Sequence, residues 1–493
     1  MPPEIYTYGF GGVSNMRFLK LKLPLWVAAG LVTSTVVGAE PTVPAQVDTS
    51  IYDSFAQAEG QAPVTLMPRA GVPDEDVYQY RGAAPQEAAI EEGATRYLET
   101  DFLLDRGIET YGFLELGIGA NALGSPWNGP ITFNDRAWQG QMNQLYLINE
   151  RILKDDGISL GGRVDLLYGT DFIYTTAAGF DGNWNTGRYY GLAMPQLYGE
   201  VGNQTLNVKF GHFYTLIGYE VVPAIGNFFY THAYTMQYGE PFTHTGVLGT
   251  WNPNDQLSII AGITNGWDNW DIGLPTNQAN PTQGSTSNAA FLGAVTFSSS
   301  DGLQALTIAN SSGNEASGAT TLPAGAGQPF IGARSVTSIV YSNELTDKLT
   351  YVYQSDIGYQ AHANTAVQTQ GQQAGSAYWY GVNNYVFYNF TDYLIGGFRL
   401  EWFSDVNGYR VSTGGFRPGA LTGNGNGFAG NFWEATWGLN YLVGNNLVIR
   451  PEVRYDWYSR NQAQAGGPGN MPYGPNLNNN GQFYGGCEVI WNF

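Results

Sequence analysis

The sequence predicts an all-β fold: a closed antiparallel transmembrane β-barrel of sixteen strands, with short periplasmic turns and long external loops. Three observations predict it. The chain is 43% hydrophobic and 14% aromatic but only 13% charged, an unusual balance for a soluble protein of 493 residues. Beyond residue 39 no stretch offers the eighteen or so consecutive apolar residues that a membrane helix needs. Strand-like runs are instead separated alternately by very short and by long connections, and apolar and polar residues alternate within them. A chain that spans lipid without helices must close its sheet, because every backbone donor and acceptor there needs an internal partner.

The elements follow in chain order. Arg17, Lys20 and Lys22 precede an apolar run from Leu23 to Val37, which is too short for a stable span and ends in Val37-Gly38-Ala39 before Glu40. Residues 1–39 therefore read as a signal peptide, with Met16 a second candidate start. Residues 40–107 are rich in Pro, Ala, Gln and acid, and read as a periplasmic arm, partly disordered, with a short helix near Ala88 to Leu104. Much of the net charge of −20 lies there, at residues such as Asp74, Glu75, Asp76, Glu91 and Glu92, and an acidic chain is a poor partner for nucleic acid. From Ile108 to Phe493 one β domain continues without a break.

Seven short turns punctuate that domain: Lys154 to Gly157, Gly202 to Gln204, Asn252 to Asp255, Ser299 to Gly302, Glu344 to Asp347, Phe390 to Asp392 and Gly444 to Asn446. Long polar connections lie between them, among them Gly124 to Gln139, Thr170 to Leu192, Thr215 to Gly239 and Ser459 to Asn480. Seven turns and eight loops join sixteen strands and leave both termini on the periplasmic side. The segment Ala289 to Ser311 is weakly patterned, so the count is open by two.

Single strands carry two faces. In Leu447 to Tyr458, Leu447, Ile449, Pro451, Val453, Tyr455 and Trp457 alternate with Arg450, Glu452, Arg454 and Asp456. Charges in such numbers are intolerable in lipid and natural in a wet lumen. Trp433, Ala435, Trp437, Leu439, Tyr441 and Val443 likewise oppose Glu434, Thr436, Gly438 and Asn440. The same logic sets Phe398, Leu400 and Trp402 against Arg399, Glu401 and Asp405, and Val164, Leu166 and Tyr168 against Arg163 and Asp165. The pore wall expected from these faces is Arg163, Asp165, Arg399, Glu401, Arg450, Glu452, Arg454 and Asp456.

The chain ends at Phe493, with Trp491, Val489 and Cys487 on one face of an alternating strand. Trp491 and Phe493 resemble the aromatic terminal signature that the outer-membrane assembly machinery reads. The lone Cys487 excludes an internal disulfide and suits a small apolar place on that strand.

The runs Met142 to Leu147, Phe213 to Glu220, Tyr230 to Gly246 and Ile449 to Asp456 resemble the OmpL-like β-barrel porins of Gram-negative-type bacteria and planctomycetes. The resemblance covers roughly residues 105–493 and implies a passive pore in the outer-membrane lipid for small hydrophilic solutes, without catalytic residues or cofactor. Porins of sixteen strands are frequently trimers, which makes a homotrimer the expectation by analogy. The loop Thr215 to Gly239 carries Leu216, Ile217, Val221, Val222, Ile225, Phe228, Phe229 and Tyr230, more apolar surface than a solvated loop tolerates. It is therefore expected to fold inward as a constriction, with Tyr219, Glu220, His232 and Glu240 facing an opening across from the wall arginines.

Two other classes compete. A hydrolase inside the barrel would need a nucleophile and a base, yet only His212, His232, His244 and His362 offer imidazole and no Gly-x-Ser-x-Gly elbow occurs. The histidine spacing fits no metal-ligand pattern, so no metal is implied. A non-conducting surface or adhesin barrel would have the same strands, and differs in predicting a blocked lumen.

Overall fold

The computed structural model describes residues 97–155, 157–185, 189–270, 289–316, 331–363, 375–411, 427–461 and 471–493. The signal peptide and most of the arm lie outside these residues. So does the expected helix near Ala88, apart from its end, where α1 spans Asp101–Leu104.

Sixteen strands follow. They are β1 Glu109–Asn121, β2 Gln141–Arg151, β3 Ser159–Gly169, β4 Gly191–Gly202, β5 Leu206–Tyr214, β6 Thr243–Asn254, β7 Leu257–Thr264 and β8 Ala290–Ser298. The second half comprises β9 Gln304–Ala316, β10 Ile331–Thr346, β11 Leu349–Ala363, β12 Gly375–Thr391, β13 Leu394–Asp405, β14 Gly430–Val443, β15 Leu447–Arg460 and β16 Gly481–Asn492. Each pairs antiparallel with its neighbours in sequence, and β1 pairs with β16 to close the barrel. Closure extends to the last residue: Phe493 N–H donates to the Gly112 carbonyl at 2.8 Å, and the Phe493 carbonyl accepts the Gly112 N–H at 2.9 Å. Among the described strands no edge remains open, which satisfies the backbone within lipid.

The short turns fall where the sequence places them, and the strand faces follow suit. Trp437, Leu439, Val453 and Tyr455 are exposed on the outside, while Glu434, Arg450, Arg454 and Asp456 are buried inside. Aromatic rings gather at both ends of the outer face. Tyr388 and Phe390 sit 5.1 Å apart and Tyr393 and Tyr441 6.0 Å apart near the short turns. Trp433 stacks on Trp457 at 5.9 Å, and Tyr359 meets Tyr378 at 5.2 Å, toward the long-loop end. Two aromatic bands flanking an apolar belt mark the two membrane interfaces.

The weakly patterned stretch resolves into β8 and β9, and its weakness has a cause. Leu292, Ala294 and Ala309 face inward and pack with Leu248, Ile260, Val336 and Ile217 in one buried apolar cluster. Both faces of these strands meet apolar surroundings, so the alternation fades. The same observation corrects a larger expectation. Inward charges were assigned to a wet lumen, but each of the sixteen strands presents at least one buried inward side chain, from Glu115 in β1 to Tyr484 in β16. At these positions the inward side chains are covered by other parts of the protein.

Candidate functional site: the third loop and its seat

The covering groups come from the external loops, chiefly the third, residues 215–242, which runs three residues past its expected end. Its fold is local at three points. Gly218 has φ +85° and leaves room for the Glu240 carboxylate where a Cβ would otherwise stand. Ala224–Gly226 form a 3-10 turn and Thr235–Gly239 a π-helical turn. The loop crosses to the wall of β13, β14 and β15, so its apolar residues are buried and its main chain must find partners there.

Wall charges supply those partners. Arg399 donates to the Thr231 carbonyl at 2.6 Å, Arg454 to the His232 carbonyl at 2.7 Å, and Arg450 to the carbonyls of Ala224, at 3.1 Å, and Asn227. Glu401 accepts the N–H groups of Tyr234 and Thr235, each at 2.6 Å. Glu452 accepts those of Tyr230 at 2.9 Å and Thr231 at 3.1 Å. Five charged side chains on two strands thus hold one stretch of loop backbone. Hydrogen bonds of charged groups contribute about 1.5–3 kcal/mol each, roughly twice the neutral kind.

Shape matches charge. A Cβ added at Gly117 would overlap the Tyr230 ring, one at Gly381 the Thr235 side chain, and one at Gly397 the Phe228 ring, while Phe229 rests on Gly438. Wall glycines on four strands are therefore sockets for loop side chains. Gln144 of β2 and Gln354 of β11 add bonds to Ala224 N–H at 3.1 Å and Tyr219 N–H at 3.1 Å.

The four residues expected to line an opening are contact residues instead. Glu220 pairs with Arg399 at 2.7 Å and His232 at 3.1 Å, and accepts the Tyr385 hydroxyl at 3.1 Å. Glu240 accepts from Gln354 at 2.6 Å, and the Tyr219 ring lies 4.8 Å from Tyr385. All four are buried. The apolar flank of the loop draws it onto the wall, so its polar members meet the arginines directly rather than across water. Of the expected wall residues, Arg163 and Asp165 stand apart from the loop's charged contacts. Arg163 binds Asp165 at 2.7 Å and Glu150 at 3.2 Å, and Asp165 accepts the Tyr146 hydroxyl at 2.6 Å. Asp456 accepts from Arg454 at 2.8 Å and from the Tyr234 hydroxyl at 2.8 Å.

The first loop, which the sequence reading left in solvent, also turns inward. Thr132 donates through N–H at 2.8 Å and hydroxyl at 2.6 Å to Gln237, the Tyr238 hydroxyl reaches the Pro130 carbonyl at 2.6 Å, and Phe133 lies 4.1 Å from His232. The signal was present in Ile131 and Phe133, two bulky apolar residues in a nominally polar loop. His212 and His244 bond Thr245 at 2.8 Å and Thr215 at 3.0 Å, both structural arrangements. His362 lies in β11, with its side chain outside the described set. In the fourth loop, Asp268 clasps the start of β6 through Phe242 N–H at 3.0 Å and Thr243 N–H at 2.8 Å, and burial pushes its carboxyl up to about 6.

Residues 107–493 match the profile of a protein family described as "Putative beta-barrel porin-2, OmpL-like". No curated protein matches the sequence. Among solved structures, the chain is similar to the outer-membrane channel DcaP of Acinetobacter baumannii at 10% identity and TM-score 0.48, over 78% of this chain and 97% of that one. An anion-selective porin from Comamonas acidovorans gives 10% identity and TM-score 0.49, over 78% and 99%. OprB of Pseudomonas putida gives 14% and 0.47, over 80% and 96%.

Proposed function

The chain belongs to the OmpL-like porin-2 family of outer-membrane barrels, and from that premise we propose that it passes small hydrophilic solutes or ions passively, with the third external loop as its narrowest element. The observation that carries the narrowing is the seat: charges of β13 and β15 grip the loop backbone while glycines of β1, β12, β13 and β14 receive its side chains. A loop so held sets how much of the lumen is left to solutes. Tyr219, Glu220, His232 and Glu240 fix its position, and Arg399, Glu401, Arg450, Glu452 and Arg454 are the wall side of the same contact. Arg163, Asp165 and Asp456 complete the charged lining.

The packed interior favours a second reading, a non-conducting surface barrel. Planar-bilayer recordings on the purified full-length chain and on Gly397→Leu separate them, since the leucine side chain takes the place of the Phe228 ring and unseats the loop. A porin should conduct in discrete steps, with larger steps and entry of larger sugars in the variant. Silence from both proteins, each migrating as a folded heat-modifiable barrel, would leave the surface role.

A further inference from the structure

Above the loop, at the long-loop end of the barrel, a second cluster takes no part in the seat's charge ladder. Trp267 of the fourth loop, Arg334 of β10, Trp379 of β12, and Tyr409 and Arg410 of the seventh loop converge there. The Arg410 guanidinium lies 5.1 Å from the Trp379 ring centre, 5.3 Å from that of Trp267 and 5.7 Å from that of Tyr409. The rings are fixed in turn: Trp379 Nε1 donates to the Gly239 carbonyl at 2.9 Å and Trp267 Nε1 to the Ser311 hydroxyl at 3.2 Å.

Arg410 spends its Nε on the Tyr238 carbonyl. Its two Nη nitrogens have no hydrogen-bond acceptor or ion-pair partner among the described residues, and the side chain is only half-buried. The carboxylates around it are engaged elsewhere. Glu315 stands 4.0 Å from Arg334 and accepts Trp267 N–H at 2.9 Å. Asp405 accepts the N–H groups of Tyr409 at 2.9 Å, Arg410 at 2.7 Å and Val411 at 2.8 Å, and Asp268 holds the start of β6. Burial and the neighbouring Arg334 lower the Arg410 guanidinium to about 10, against the opposing pull of Tyr409, Asp405 and Asp268.

We infer that the Nη edge of Arg410, clamped among three aromatic rings, is a binding site for small organic carboxylates at the outer mouth of the barrel. A planar guanidinium edge meets a carboxylate through two parallel hydrogen bonds, and rings that fix its orientation reduce what binding must order. The partly buried Tyr409 ring beside it suits a solute whose carboxylate is carried on a flat or apolar body.

The test is calorimetric titration of benzoate into the full-length chain in detergent micelles, with benzamide as the uncharged control. Binding there needs no conduction, so this proposal and the channel reading fail independently. Saturable benzoate binding, absent for benzamide and weakened about tenfold or more by Arg410→Gln, is the expected result. Arg410→Lys keeps the charge but not the fork and should weaken binding about threefold or more. If the glutamine variant does not fold, the lysine variant decides by the same comparison. Absent benzoate binding, equal binding of benzamide, or unchanged affinity in the folded variants would overturn the proposal.

Discussion

Arg399 joins more of the interior than any expectation drawn from its strand alone. It meets Glu220 at 2.7 Å, the Thr231 carbonyl at 2.6 Å and Glu434, all in a fully buried setting. Taking such a charge out of water is costly, and the contact is retained because every partner is also committed; removing one member of a buried pair typically costs about 3–5 kcal/mol. Asp268 shows the opposite balance. Burial raises its carboxyl from 3.8 to about 6, so the folded chain holds the proton more tightly than the unfolded chain. Its contribution to stability is present below 3.8 and is lost as pH rises through about 6. Asp268→Asn keeps an oxygen acceptor for Phe242 and Thr243 but cannot titrate. Urea midpoints measured from pH 4 to pH 7 should therefore fall less in the variant than in the parent, and equal falls would refute the assignment.

At the scale of the strand, β14 states the membrane argument most plainly. Trp437 is 50% exposed on the outer face, packs on Phe398 at 5.0 Å and pairs with Val453 across the ladder. The next residue, Gly438, faces inward beneath Phe229. A single strand therefore carries a lipid anchor and a loop socket on adjacent residues, the consequence of a side-chain period of two. Trp437→Arg should destabilise the barrel by about 2–4 kcal/mol near the bilayer midplane and by less toward an interface. Urea unfolding in lipid vesicles followed by tryptophan fluorescence reads this, and a variant as resistant as the parent would mean that this face does not meet the lipid core.

For the whole molecule, the closing seam decides what the barrel requires. Its sixteen strands run from Glu109 to Asn492, and β1 and β16 pair from Phe113 with Asn492 to Asn121 with Tyr484. Among the described residues ahead of β1, α1 is largely exposed, and Tyr97 touches the outer face 6.3 Å from Trp491. Neither contributes to the ladder. Deleting residues 40–99 should leave a folded barrel with the parent's conductance in planar bilayers, with heat-modifiable migration as the folding check. A large rise in conductance would show instead that the arm obstructs the lumen.

The sequence by itself marked a closed barrel of sixteen strands, open by two, together with the turns, the two faces of its clearest strands and the inward course of the third loop. These depend on period, turn chemistry and apolar content, which are properties of neighbouring residues. Only β8 and β9 were hard to read, because Leu292, Ala294 and Ala309 face an apolar interior and blur the alternation. What the inner wall meets was decided by the tertiary structure. Nothing near Gly397 in the chain announces Phe228, and nothing near Glu401 announces the N–H groups of Tyr234 and Thr235, 166 or more residues away. The pattern marked Arg399, Arg450 and Arg454 as inward and charged, but an inward charge can meet water or backbone. Which one it meets depends on how far the loop's apolar flank carries it toward the opposite wall, and the closed barrel sets that distance.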